Sequence, residues 1–69
     1  MLRITVNGRA HALDAQHTVT IAGLVDELWL AGKRIAVERN GEIVPRSRYV
    51  DTALTDGDRL EIVGAVGGG

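Results

Sequence analysis

The chain has 69 residues and no cysteine, which gives room for one domain around one modest core. It also excludes a disulfide framework, a thiolate metal site and a cysteine nucleophile. Eight Lys and Arg against nine Asp and Glu leave a formal net charge of -1, without the basic footprint that nucleic acid or an anionic membrane would require.

The opening stretch MLRITVNGR interrupts its apolar residues with Arg3, Thr5 and Asn7, a strand pattern rather than the core of a signal peptide, and no window is long enough to span a membrane. The absence of thiols fits a reducing compartment, so the expected location is cytoplasmic. Leu2, Ile4 and Val6 alternate with polar residues as in a half-buried strand, and Asn7-Gly8 is the dipeptide best suited to a type I′ turn. A second strand should return through Arg9 to Leu13.

In TVTIAGLVDELWLAGK, Ile21, Leu24, Val25 and Leu28 fall on one helical stripe. Thr20 is the expected N-cap and Gly32 the expected stop, with Gly23 as an interruption. Trp29 should pack at the edge of helix and sheet. Ile35 and Val37 resume the alternation, Asn40-Gly41 offers a second hairpin turn, and the short strand Ile43-Val44 ends at Pro45. RSRYVDTAL shows neither period and reads as irregular or as a single helical turn. After TDGD, Leu60 and Ile62 mark a last strand.

The order is ββαββ, a connector, then β. One helix on one face of a mixed sheet buries these stripes most economically, an α+β fold of the β-grasp, ubiquitin-like kind with the final strand beside the first. The domain should occupy residues 1–64, and residues 65–69 should form a flexible tail, AVGGG. Three glycines in succession add nothing to a core, so the tail should serve chemistry.

Other residues carry less. His11 and His17 are isolated, which fits exposure better than metal coordination, and no metal site is expected. Arg46 and Arg48 beside Tyr49 read as a solvated connector. Asp26 and Glu27 are neighbours on a helix and should point apart, so they do not form a catalytic pair.

The segments VERNGEIVPRSR and DGDRLEIV and the ending AVGGG, at their spacings, resemble the ThiS family of ubiquitin-like sulfur carriers of the thiamine pathway. The resemblance runs over nearly the whole chain. Trp29 departs from it, standing where such carriers more often have a small or aliphatic residue. The resemblance implies that the carboxylate on Gly69 is adenylated by a ThiF-type partner enzyme using ATP. It is then converted to a thiocarboxylate with sulfur from a donor such as a cysteine desulfurase, and the sulfur passes to a ThiG-type thiazole synthase.

On that reading the chain is a co-substrate rather than an enzyme and binds no cofactor itself. Gly67, Gly68 and Gly69 would thread a narrow channel, and Val63, Ala65 and Val66 would anchor the thread. Two other uses of the same tail are a sulfur carrier for molybdopterin or an amino acid and a protein modifier joined to target lysines. A structural β-grasp module with an idle tail is a third reading.

Overall fold

A computed structural model describes residues 1–14 and 19–64. The expectations for His17 and for Ala65, Val66, Gly67, Gly68 and Gly69, including the flexible tail 65–69, lie outside the described residues. The elements are β1 (Leu2–Val6), β2 (Arg9–Leu13), α1 (Ile21–Glu27), β3 (Ile35–Arg39), β4 (Glu42–Val44), a 3-10 turn (Arg46–Arg48) and β5 (Arg59–Gly64). They form a five-stranded sheet in the order β2-β1-β5-β3-β4. β5 runs parallel to β1 and antiparallel to β3, the mixed β-grasp arrangement expected.

Both hairpins close as their dipeptides dictate. Asn7 and Gly8 take φ 52° and 81°, and Asn40 and Gly41 take φ 52° and 89°, the paired positive angles of a type I′ turn that matches strand twist. The alternation is also kept. Ile4, Val6, Val37, Leu60 and Ile62 face a buried layer shared with Ile21, Leu24 and Val25 of α1.

A helix of 7 residues is too short to persist alone, and this one is held by its first turn. The Ile21 and Ala22 amides donate to the Thr52 and Tyr49 carbonyls, both at 3.0 Å. The Gly23 amide donates to Thr20 Oγ1 at 3.1 Å, so Thr20 is the N-cap as expected. Gly23 therefore lies within α1 and does not interrupt it.

The far end of the helix differs from the sequence reading. α1 stops at Glu27, not Gly32, because Trp29 adopts φ 64°. The Trp29 amide donates to the Asp26 carbonyl at 3.0 Å, and the Leu30 amide donates to the Val25 carbonyl at 2.9 Å. This pair of bonds is the Schellman stop, whose left-handed position usually belongs to glycine. Trp29 does not pack between helix and sheet either: it is 86% exposed. The half-buried Leu28 and Leu30 take the inward positions on either side of it.

The connector 45–58 is ordered by its own contacts. Tyr49 is buried, and Arg46 Nη2 donates to the Lys33 carbonyl at 2.7 Å, so this arginine ties the connector to the loop after α1. At its end Asp58 is buried among donors. Its carboxylate accepts from Arg39 Nε at 2.8 Å, Thr55 N at 2.9 Å, and Asn40 Nδ2 and Thr55 Oγ1 at 3.0 Å each. Burial alone would raise the Asp58 pKa, but the hydrogen bonds from Arg39, Thr55 and Asn40 outweigh it and lower the pKa from 3.8 to about 2.

Because the folded pKa lies below the unfolded one, this carboxylate stabilises the fold fully above pH 3.8, and its contribution is lost as the pH falls toward 2. The interval corresponds to about 2 kcal/mol. Acid titration of stability should show a loss of that size between pH 4 and 2 in the wild type, and Asp58→Asn should lack it. Parallel acid profiles for the two proteins would contradict this role.

Candidate functional site

The geometry that bears on function is how the fold delivers β5 to the tail. β5 sits between β1 and β3, but its pairing with β1 covers only Thr5 opposite Arg59 and Val6 opposite Leu60. Beyond that point β1 has turned away into the hairpin. The Asn7 side chain takes its place: Asn7 Oδ1 accepts from Ile62 N at 2.7 Å, and Asn7 Nδ2 donates to the Ile62 carbonyl at 2.9 Å. One amide thus supplies the donor and the acceptor of a missing strand partner, which neither a carboxylate nor a hydroxyl of that reach could do in the same way.

On the other side β3 pairs through Ala36 opposite Val63 and Ile35 opposite Gly64. The backbone entering the tail is therefore held on both flanks up to Ile62 and on the β3 flank up to Gly64. Asn40 repeats the device at the start of β5, where its Oδ1 accepts from Arg59 N at 2.9 Å. Each hairpin asparagine both closes its turn and grips the central strand. The Asn-Gly dipeptides predicted the turns, and nothing in their spacing disclosed this second use.

Of the expected anchor residues, Val63 alone is described. It is 57% exposed and faces the open side of the sheet beside Ala36, so it is available to a partner. An open groove of about 450 Å³ borders Gly64, with Val6, Leu28, Leu30, Ile35 and Ile62 among its walls and Lys33 and Arg34 at its rim. The loop after α1 and the exit of β5 thus share one surface.

No group of three His, Asp or Glu that could hold a metal occurs among the described residues. His11 is half-buried opposite Ile4 rather than exposed. Asp26 and Glu27, expected to point apart, border the same shallow hollow beside Asp14. No helix among the described residues is long and apolar enough to cross a membrane.

A sequence model of the ThiS family matches residues 4–69. The chain is 43% identical over 68 residues to a thiazole synthase of Paramagnetospirillum magneticum, a match covering 99% of this chain and 20% of the synthase. It therefore spans about a fifth of the length of that relative. It is 46% identical over 52 residues to the sulfur carrier protein ThiS of Bacillus subtilis, covering 75% of this chain and 79% of that protein. The crystal structure of a thiamine biosynthesis protein (ThiS) from Geobacter metallireducens matches it with a TM-score of 0.83 and 32% identity, covering 99% of this chain and all of that one.

Proposed function

The chain belongs to the ThiS family, and from that membership we propose that it is a sulfur carrier protein of thiamine biosynthesis, with the carboxylate of Gly69 as the loading site. The supporting observation is the grip on β5 through Asn7 and β3, which fixes the backbone as far as Gly64, just before the sequence AVGGG begins. The chemistry then follows from the carboxylate's charge.

An ionised carboxyl, with a pKa near ~3.5, resists nucleophiles at neutral pH. A ThiF-type partner removes that resistance: a carboxylate oxygen attacks the α-phosphorus of ATP, pyrophosphate leaves, and an acyl adenylate forms. A persulfide supplied by a donor such as a cysteine desulfurase adds to the acyl carbon through its terminal sulfur and displaces AMP; a thiol then attacks the donor's sulfur in the acyl disulfide, forming a disulfide with it and releasing the thiocarboxylate. The resulting thiocarboxylate gives its sulfur to the thiazole ring on a ThiG-type synthase.

The chain acts in the cytoplasm as a co-substrate and binds no cofactor; ATP belongs to the activating enzyme. Gly67, Gly68 and Gly69 present no Cβ to the channel they thread. Ordering each tail residue costs roughly 1 to 2 kcal/mol, so the folded body must contribute docking energy, with Val63, Ala65 and Val66 nearest the thread.

Intact mass provides the test. Incubation with the adenylating enzyme, ATP and a sulfur source should add about 16 Da, sulfur for oxygen, to the chain. An unchanged mass, or a ladder of conjugates to other proteins, would refute the carrier reading, the ladder in favour of a protein modifier.

A further inference from the structure

Trp29 is unusual in three respects. It holds φ 64°, a conformation that costs a residue with a Cβ roughly 1 to 2 kcal/mol and costs glycine almost nothing. It is 86% exposed, so no internal packing offsets that cost. It also stands between Leu28 and Leu30, which line the groove that ends at Gly64. A large rigid aromatic is thus displayed, at a cost to the fold, between two residues that line the groove beside Gly64.

Two cations accompany it. Lys33 and Arg34 are exposed at the rim of the same groove, and none of the residues lining it is acidic. Neither cation has an ion-pair partner among the described residues. Asp14, Asp26 and Glu27 border a different hollow. The groove beside Gly64 therefore carries uncompensated positive charge, and the helix end that borders it displays an indole.

The length of the tail decides what must cover this surface. Residues 65–69 span at most about 18 Å when extended. An enzyme that holds Gly69 in its reaction site must therefore bring its own surface within that distance of Gly64, onto the surroundings of the exit. Thiazole synthase is the enzyme to which other observations point. The Paramagnetospirillum magneticum and Magnetococcus marinus synthases each contain a stretch matching 99% of this chain, so the two units are joined covalently in those proteins.

We propose that Trp29, Lys33 and Arg34 form the surface by which this chain docks on thiazole synthase, the indole seated in an apolar socket of that enzyme and the two cations facing carboxylates at its rim. The proposal rests on the carrier reading above. Tryptophan and arginine are the residues that most often dominate such contacts, and unpaired cations steer association toward an acidic rim.

The experiment uses the full chain with 5-fluorotryptophan at its single tryptophan, titrated with full-length thiazole synthase of the same organism and followed by fluorine NMR. The Trp29 resonance should shift on binding. Trp29→Gly should weaken affinity by at least about 30-fold while its melting temperature stays equal or rises, since glycine relieves the left-handed strain. Lys33→Glu with Arg34→Glu, which leaves the indole in place, should weaken binding at low salt, with the difference shrinking at high salt.

Wild-type affinity in Trp29→Gly would overturn the proposal. So would a Trp29 resonance that moves with concentration of the chain alone, which would mean that a second copy covers the indole. Failure of the unmodified chain to bind the synthase would overturn it too, but would leave the gain in mass with the adenylating enzyme standing, so the two readings fail separately.

Discussion

Leu24→Ala is expected to cost about 2 to 5 kcal/mol, the range for emptying a buried aliphatic site, and Ile4→Ala about the same. Leu24 is 1% exposed and Ile4 is 2% exposed, so each truncation opens a cavity inside the single layer between helix and sheet. A chain of this length has a total stability of roughly 3 to 10 kcal/mol. Either change therefore removes a large share of it, and chemical denaturation should place both variants at or beyond the edge of folding at room temperature. The effect is amplified at Leu24 because α1 has only two turns, and its stability comes from packing rather than from its own hydrogen bonds. Wild-type midpoints in both variants would show that the core is arranged differently.

The second large effect concerns the tail and should leave stability untouched. A chain shortened to residues 1–66 is expected to melt with the wild type, because among the described residues the core ends at Ile62 and the pairing with β3 at Gly64, yet it should gain no sulfur. Gly68→Val should also fold and dock, while single-turnover adenylation falls at least about 100-fold, since a branched Cβ displaces the carboxylate from its reacting position. Thermal unfolding measured beside adenylation separates the two properties. A lowered melting temperature in the shortened chain would make the tail part of the fold, and normal adenylation of Gly68→Val would rule out a narrow channel.

The fold was legible in the sequence wherever a local rule governed it. Alternation at Leu2, Ile4 and Val6, the two Asn-Gly turns and the Thr20 cap each depend on a few neighbouring residues, and each is found as read. The helix end was misread because Gly32 satisfied the usual rule, whereas the chain reversed three residues earlier on a tryptophan. Asn7, Asn40 and Asp58 were placed in the right turns, but their grip on β5 and on Arg39 joins positions 18 to 55 residues apart, which periodicity does not encode. The chemistry proposed for the tail has a different basis. Glycine repeated at a cost to order signals use, whereas the docking surface depends on which side chains the helix end leaves uncovered.

The position of β5 has a consequence for the making of the protein. The strand that joins the β1-β2 hairpin to the β3-β4 hairpin follows both of them in chain order, so until residues 59–64 have emerged the nascent chain holds two unconnected hairpins with bare inner edges. Isolated two-stranded hairpins are marginal in water, and their joining waits on contacts between the two ends of the sequence. The sheet can therefore close only after residues 59–64 are made, and a product terminated before them remains open to proteases. Reaching the native state certifies that synthesis has passed β5.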